Sequence, residues 1–333
     1  MKATPIPHRI LVVAPAWVGD MVMAESLFQS LHRQYPGAVL DVLAPRWTLP
    51  LLRFMPEVSG GIALPLGHGE LGLAERYRIG RDLRARSYDL ALVLPGSLKS
   101  ALVPFFAGIG IRRGFGGALR RLLLSEAKAK PRLPQVETFL ALSPPTLSLN
   151  DSEVPEPRLI VTDEQRAEAL AALGLQAPEA PLLAIAPGAE YGPAKRWPAR
   201  HFATLAAAKR AQGWQVWVFG SPGDRDAAAE IPADQNLAGR TSLDQAVALL
   251  SLADAVVSND SGLMHVAAAL GRPQVALFGP SDPVRTGPHN AKAQVLRLGI
   301  ECSPCNKRIC PLGHHRCLED LMPAQVLALL PPA

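Results

Sequence analysis

The sequence predicts an α/β protein made of two doubly wound halves that face a central cleft. Short apolar runs alternate with amphipathic stretches of helix length, which is the pattern of βαβ units around parallel sheets. The pattern occurs twice, on either side of a proline-rich segment near the middle of the chain. The chain has 333 residues, which is enough for two domains of ordinary size. Ligands of such sheets bind beyond the carboxyl ends of the strands.

In the first half, three apolar runs predict buried strands, namely Arg9–Ala14, Val39–Ala44 and Asp89–Leu94. Three longer amphipathic stretches predict helices, namely Asp20–Tyr35, Ala74–Arg86 and Leu98–Ala107. The alternation stops between Ser143 and Pro157, where four prolines stand among Ser, Asn and Asp residues. We therefore expect the linker there, with domains over residues 1–160 and 161–333.

The second half repeats the alternation after a predicted helix at Asp163–Leu173. Strands are expected at Leu182–Ala186, Gln215–Phe219, Ala255–Ser258 and Gln274–Phe278. Helices are expected at Ala199–Gln212, Pro222–Ile231, Leu243–Leu252 and Ser261–Leu270. The last apolar segment, Pro323–Leu330, predicts a terminal helix that can pack back on the first domain.

The composition is that of a globular protein, with 48% hydrophobic and 19% charged residues. The net charge of +5 suits acidic partners such as nucleic acid, anionic lipid or a phosphorylated substrate. A general basic bias without any such partner explains the charge equally well. Because the basic residues are not interleaved with stacking aromatics, we do not expect nucleic-acid binding.

The N-terminal region lacks the pattern of a secretory signal. Its apolar run, Ile10–Ala14, stops at Pro15 and is too short for the apolar part of a signal peptide. No run reaches the ~18 consecutive apolar residues of a membrane-spanning helix. We therefore expect a cytoplasmic protein, with at most a peripheral contact to a membrane surface.

The first motif, Pro15–Asp20, joins the first predicted strand to the first helix. Gly19 allows a tight turn and a close approach of the backbone. Asp20 stands at the helix start, where a carboxylate commonly caps the helix. It is also a candidate general base if a substrate hydroxyl reaches it. The absence of a G-x-G-x-x-G pattern argues against a dinucleotide-dependent dehydrogenase.

The second motif, Pro187–Pro198, follows the first strand of the second half. Gly188 makes the loop adaptable, and Lys195 and Arg196 bring two cations close to a helix start, which suits a diphosphate. The alternative is an exposed basic loop anchored by tryptophan packing. The spacing does not match a P-loop, so hydrolysis of a nucleoside triphosphate is not expected.

The third motif, Ser258–His265, is a junction between a strand and a helix built from small residues. Ser261, Gly262 and Leu263 leave the first backbone N–H groups of the helix open to an anion. Asp260 stands at the strand end, where it can accept hydrogen bonds from sugar hydroxyls. His265 lies one turn into the helix and fits a ligand contact and a buried structural histidine equally well.

Basic residues in the first half form a fourth candidate site. Lys99 follows a predicted strand, and Arg112, Arg113 and Arg120 alternate with apolar residues. Such a pattern suits an acidic amphiphile at a membrane surface. A solvated basic face over a packed helix fits the same pattern.

The fifth motif is the cysteine-rich segment, which we define as residues 302–317. All four cysteines of the chain lie in it, as Cys302, Cys305, Cys310 and Cys317. Four thiols this close in a cytoplasmic chain can bind a structural Zn²⁺ ion. Iron–sulfur ligation, a redox disulfide and fully reduced thiols remain open.

The chain resembles the ADP-heptose:lipopolysaccharide heptosyltransferases, glycosyltransferase family 9, and within them the heptosyltransferase II members. The segments that carry the resemblance are residues 16–23, 65–69, 97–108, 187–198 and 259–269. The resemblance implies a GT-B fold, with the acceptor side in the first domain and the ADP-heptose side in the second.

The resemblance also implies a reaction. An L-glycero-D-manno-heptose would pass from ADP-heptose to the first heptose of the lipopolysaccharide inner core, heptosyl-Kdo2-lipid A, with inversion and no required metal cofactor. Asp20 matches the general base of the family, Lys195 its phosphate-binding lysine, and Asp260 the carboxylate that contacts the donor heptose. Ser261, Gly262 and Leu263 match the loop around the donor phosphates. The cysteine-rich segment is not present in every member.

From the motifs we also expect Gly188, Arg196 and His265 on the donor side. The residues expected on the acceptor side are Gly19, Lys99, Arg112, Arg113 and Arg120. A lipid-linked acceptor further implies transient contact with the cytoplasmic face of the inner membrane. A heptosyltransferase for another core position, a nucleotide-sugar epimerase and a non-catalytic nucleotide-sugar sensor remain alternatives, and the oligomeric state is open.

Overall fold

The structure, a computed structural model, describes residues 6–144 and 154–332. The chain divides into two compact units, Met1–Pro157 and Arg158–Ala333. The central part of the expected linker, residues 145–153, lies outside the described residues.

The first unit contains a six-stranded parallel sheet. Its strands are β1 Arg9–Val13, β2 Val39–Pro45, β3 Gly60–Leu64, β4 Leu90–Val93, β5 Ile111–Phe115 and β6 Glu126–Lys128. Its helices are α1 Val18–Gln34, α2 Leu73–Leu83, α3 Leu102–Phe106 and α4 Gln135–Leu140. The strand order β3-β2-β1-β4-β5-β6 is that of a Rossmann-type sheet, in which the order reverses between β1 and β4.

The second unit repeats this topology with six further parallel strands. They are β7 Leu182–Ala186, β8 Gln215–Val218, β9 Gln235–Asn236, β10 Ala255–Asn259, β11 Gln274–Leu277 and β12 Ala293–Leu296. Its longer helices are α5 Asp163–Leu173, α6 Ala199–Ala211, α8 Leu243–Leu250 and α9 Gly262–Ala269, and its short ones are α7 Arg225–Ala229, α10 Pro283–Thr286, α11 Arg316–Glu319 and α12 Pro323–Leu327. The order β12-β11-β10-β7-β8-β9 reverses between β7 and β10.

Each sheet packs its apolar residues into a core of its own. Strand β1 is buried over Ile10–Val13 and strand β7 over its whole length, as expected for central strands covered by helices on both faces. Trp197 and Phe202 anchor α6 in the second core, where their rings meet edge to face at 4.7 Å. Helix α12 packs on α6 and so contributes to the second unit.

Several expected elements differ in extent. The stretch expected as one helix, Leu98–Ala107, is a 3-10 turn over Leu98–Ala101 followed by the five-residue α3. Pro104 falls in the first turn of α3, where its missing N–H costs no hydrogen bond. The stretch Pro222–Ile231 likewise begins with a 3-10 turn before α7.

The basic stretch at Ile111–Phe115 is strand β5, which pairs with β4 on one side and β6 on the other. Its arginines obscured the strand pattern in the sequence, so that the interpretation as the face of a packed helix was wrong. Within residues 6–144 and 154–332, every helix is too short or too polar to cross a membrane.

Candidate functional site

The second sheet gathers its polar residues at the carboxyl ends of the two strands where the order reverses. The loop 187–198 follows β7, and Asn259 ends the neighbouring strand β10. The side-chain Oδ1 of Asn259 accepts a hydrogen bond from the Trp197 backbone N–H at 3.0 Å, and its Nδ2 donates to the Pro187 carbonyl at 2.6 Å. Asn259 is fully buried, so this one side chain ties both ends of the loop to β10.

Lys195 and Asp260 form the central ion pair of the site. The ammonium Nζ of Lys195 lies 2.6 Å from Oδ2 of Asp260, and the side chains are 16% and 6% exposed. The hydroxyl of Ser281, which follows β11, donates to the same carboxylate oxygen. The ammonium also lies 5.0 Å from the ring centroid of Tyr191, within cation–π range. Residues that follow strands β7, β10 and β11 therefore fix the position of the Lys195 ammonium.

Arg196 points to a different carboxylate from its neighbour Lys195. Its guanidinium lies 3.4 Å from Oδ1 of Asp224, while Oδ2 of Asp224 accepts hydrogen bonds from the backbone and the hydroxyl of Ser221. Gly188 is required here for packing, because a Cβ at this position would overlap the Asp224 carboxylate. The two cations that adjoin in sequence thus serve two separate ion pairs.

Helix α9 begins at Gly262, two residues after Asp260. Ser261 is its N-cap residue in an extended conformation, and its side chain makes no capping hydrogen bond. The first backbone N–H groups, from Gly262 and Leu263 onward, have no helical partner by geometry and remain suited to an anion. A partial positive charge therefore stands beside the Lys195–Asp260 pair.

His265 is a buried residue on this helix. Its exposure is 6%, and burial lowers the pKa of the imidazole to about 4, with the charges of His289 and Lys195 acting in the same direction. The carboxylate of Asp260 raises the pKa but does not compensate for the burial. His265 is therefore neutral at pH 7.

The cysteine-rich segment packs against the loop 187–198. The backbone N–H of Ala194 donates to the Arg308 carbonyl at 3.1 Å, and Nε2 of His315 donates to the Ala194 carbonyl at 2.7 Å. The guanidinium Nε of Arg308 donates to the Tyr191 carbonyl at 2.6 Å, and the Tyr191 hydroxyl donates to the Asn306 carbonyl at 3.0 Å. The cysteine-rich segment therefore forms hydrogen bonds with both the N–H and the carbonyl of Ala194, the residue before Lys195.

The four thiols of the segment lie close together. Burial raises the pKa of the Cys317 thiol to about 11, and the charges of the other three cysteines act in the same direction. Backbone N–H groups, first that of His315 and then those of residues 312–314, hold the pKa of Cys310 below its usual value. Within residues 6–144 and 154–332, no three His, Cys, Asp or Glu side chains are already arranged as metal ligands.

In the first unit, Asp20 lies in the first turn of α1, directly beyond the carboxyl end of β1. The N-cap of this helix is Trp17, so the interpretation of Asp20 as the N-cap residue was wrong. Gly19 is buried. Trp17 is 44% exposed, and its indole ring lies 5.0 Å from the His68 ring.

Lys99 and Arg120 both belong to turns near the carboxyl end of β4. Lys99 lies in the 3-10 turn after this strand and donates to the Glu70 carbonyl at 3.0 Å. Arg120 is 5% exposed, and its guanidinium donates to the carbonyls of Phe115 and Pro95. Arg120 therefore links the 3-10 turn Ala118–Leu122 to the loop that follows β4 and leads to Lys99.

The other two arginines of this group are engaged inside the unit. Arg113 is buried and its Nε lies 2.6 Å from Oε2 of Glu126 on the neighbouring strand. Arg112 donates to the Leu123 carbonyl at 2.7 Å, and its guanidinium lies 5.5 Å from the Phe105 ring. The structure therefore does not assemble Arg112, Arg113 and Arg120 into one exposed basic surface.

Three residues of the site were missed by the sequence analysis, namely Tyr191, Asp224 and Ser281. Ser281 follows strand β11, so its position after a predicted strand was the available signal. Asp224 is an acidic residue after a Pro-Gly turn and resembles an ordinary helix-start carboxylate. Nothing in the local sequence pairs either residue with Lys195 or Arg196.

Comparison with known proteins identifies the family. The sequence model of glycosyltransferase family 9 (heptosyltransferase) matches residues 76–315. The chain belongs to glycosyltransferase family 9. The Lipopolysaccharide heptosyltransferase 2 of Escherichia coli (strain K12) is 45% identical over 336 residues, which covers 96% of each chain. The Lipooligosaccharide heptosyltransferase 2 of Haemophilus influenzae is 44% identical and covers 96% of this chain and 98% of its own.

Solved structures agree with this assignment. The structure of E. coli ADP-heptose lps heptosyltransferase II matches with a TM-score of 0.84 and 42% identity, over 96% of this chain and 97% of the other. A family 9 glycosyltransferase from Veillonella parvula shares the fold with a TM-score of 0.84 at 22% identity. This family 9 member is therefore a glycosyltransferase enzyme, with the two Rossmann-type units of the GT-B fold, as the resemblance implied.

Proposed function

We propose that this family 9 enzyme transfers L-glycero-D-manno-heptose from ADP-heptose to the first heptose of the lipopolysaccharide inner core, heptosyl-Kdo2-lipid A. The observation that carries the proposal is the 45% identity, over 96% of both chains, to a protein named Lipopolysaccharide heptosyltransferase 2. The name of the matching E. coli structure, an ADP-heptose lps heptosyltransferase II, supports the same donor.

The second unit is the proposed donor side. Its support is the ion pair of Lys195 and Asp260 next to the start of α9, where an ammonium group and backbone N–H groups suit a diphosphate. An incoming diphosphate competes with Asp260 for the Lys195 ammonium. Asp260 is then available to accept hydrogen bonds from the hydroxyls of the heptose. The pair thus keeps both groups positioned before the donor arrives.

The first unit is the proposed acceptor side, with Asp20 as the general base. The acceptor hydroxyl attacks the anomeric carbon on the face opposite the diphosphate, and the new glycosidic bond forms with inversion. Asp20 takes the proton of this hydroxyl, while the bond to the diphosphate breaks and its electron pair leaves with ADP. Lys195 and the first N–H groups of α9 stabilise the charge that develops on the leaving group. Side chains and backbone N–H groups perform each task, so we propose that catalysis requires no metal cofactor.

A lipid-linked acceptor requires contact with a membrane surface. The 3-10 turn Ala118–Leu122 exposes Leu119 to 71% and Leu122 to 75%, with the basic Arg121 between them. Exposed leucines next to a cation suit the boundary between headgroups and acyl chains of an anionic bilayer. We propose that this turn contacts the cytoplasmic face of the inner membrane.

A transfer assay tests the proposal. The purified protein is incubated with ADP-heptose and Kdo2-lipid A that carries no, one or two heptoses, with and without added Mg²⁺. We expect one heptose to be added to the mono-heptosylated acceptor alone, at a rate that added Mg²⁺ leaves unchanged. Transfer to one of the other two acceptors would show that the enzyme acts at another core position. Donor turnover without acceptor would indicate an epimerase, and donor binding without turnover would indicate a sensor.

A further inference from the structure

The four cysteines of the cysteine-rich segment line one small cavity. Its volume is about 20 Å³, and its lining also includes His314 and His315. A space of this size holds one water-sized particle. Cys302, Cys305 and Cys310 are half-buried and Cys317 is buried.

A hydrogen-bond donor faces one of these sulfurs. The ring nitrogen Nδ1 of His314 accepts the Arg316 backbone N–H at 3.0 Å, so the neutral ring carries its proton on Nε2. This Nε2 lies 4.0 Å from the Cys302 sulfur, to which it donates. N–H donors aimed at sulfur stabilise thiolates and orient them as ligands.

We propose that the four cysteines bind one divalent metal ion of the thiolate-preferring class, with Zn²⁺ as the candidate. Four sulfurs satisfy a tetrahedral ion completely, so the site is structural and leaves no position for substrate. Each thiol loses its proton to solvent as its sulfur–metal bond forms, and no oxidation or reduction takes place. His314, whose Nε2 carries a proton, stays a hydrogen-bond donor to the site. The thiols rotate toward the cavity that they line when the ion binds.

The metal ion also positions the loop that carries Lys195, and this part of the inference rests on the proposed donor function of Lys195. Arg308 lies between the second and third cysteine, and His315 lies between the third and fourth. These two residues hold the two peptide groups of Ala194, immediately before Lys195. A Cβ at Gly192 would collide with the Arg308 carbonyl, so the segment fits closely against the loop. Cross-linking the segment through metal therefore fixes the position of the Lys195 ammonium.

Metal content is the first test. The full-length protein is purified under reducing conditions without chelator and analysed by mass spectrometry for metals and by a colorimetric count of reactive thiols. We expect about one metal ion per chain and thiols that react fully only after the metal is removed. Cobalt reconstitution should produce the sulfur-to-cobalt charge-transfer absorption of four-thiolate ligation. Cys305→Ser and Cys310→Ser should lose the metal, whereas the control Ile309→Ser, at a neighbouring exposed position, should retain it.

ADP binding is the second test, measured by calorimetry on protein with metal, after chelation, and after readdition of Zn²⁺. We expect the Kd for ADP to rise about tenfold on chelation and to recover on readdition. Metal-free protein with four freely reactive thiols, or with a disulfide in the segment, would overturn the metal site. Bound metal with an ADP affinity that chelation leaves unchanged would overturn its role on the loop. Bound metal without any ADP binding would contradict the proposed donor function and leave the metal site standing.

Discussion

The ammonium of Lys195 lies 2.6 Å from the carboxylate of Asp260, across the point where the strand order of the second sheet reverses. The two residues are 65 positions apart in the chain, and both are largely buried. In a site proposed to bind a diphosphate sugar, this pair positions a cation and a hydrogen-bond acceptor before the donor arrives.

Replacing Lys195 should weaken ADP binding. Lys195→Ala removes a charge-assisted hydrogen bond worth about 1.5–3 kcal/mol, so we expect the Kd for ADP to rise roughly 10–100-fold in calorimetry. Lys292→Ala is the control, because Lys292 is exposed in the same unit. An unchanged Kd for Lys195→Ala, in a protein that unfolds at the wild-type temperature, would remove the phosphate-binding role.

Replacing Asp20 should slow the chemical step. Asp20→Asn keeps the shape of the side chain and removes the base, so we expect kcat to fall about 10²–10⁴-fold. ADP affinity should stay the same, because the proposed ADP-binding residues all belong to the second unit. Asp82→Asn is the control, since Asp82 is an exposed carboxylate on α2 that forms a surface ion pair with Arg78. Near-normal turnover by folded Asp20→Asn would exclude Asp20 as the base.

Because His265 is buried in its neutral form, the free energy of unfolding should fall in acid. Its pKa is about 4 in the folded protein and 6.5 as an ordinary histidine, so the unfolded state binds a proton that the folded state does not accept. The stability contributed by the neutral ring is complete above pH 6.5 and falls as the pH decreases towards 4. At pH 5 the loss amounts to about 2 kcal/mol.

Urea unfolding at pH 7 and pH 5 checks this expectation. His265→Gln should lose less stability than wild type over this interval, by about 2 kcal/mol. The control His8→Gln, at an exposed position, should follow wild type. Parallel curves for wild type and His265→Gln would show that His265 does not cause the loss.

The turn Ala118–Leu122 should contribute to membrane binding. Replacing both Leu119 and Leu122 with Ser removes apolar surface proposed to enter the bilayer boundary, so we expect binding to anionic vesicles to fall roughly tenfold or more in sedimentation. Val284→Ser is the control, because Val284 is 73% exposed but belongs to the second unit. Equal vesicle binding by the double variant and wild type would place the membrane contact elsewhere.

Much of the fold could be predicted from the sequence, because central parallel strands are continuous apolar runs. Helix α5 and strand β7 have the predicted bounds, and β10 differs by one residue. The strands that were missed are short or polar, such as Ile111–Phe115 and Gln235–Asn236. Their strand conformation depends on pairing with a neighbouring strand, and local composition does not encode that pairing.

The sequence by itself determined the α/β class, the family, and the strand-end motifs that carry Asp20, Lys195 and Asp260. These are local properties, because each motif follows an apolar run directly. Only the tertiary structure decided which residues are partners: that Lys195 pairs with Asp260 and Arg196 with Asp224, and that the cysteine-rich segment holds the loop before Lys195. Parallel strands bring their carboxyl ends to one edge of the sheet, so residues distant in the chain meet there through strand order, which no single segment specifies.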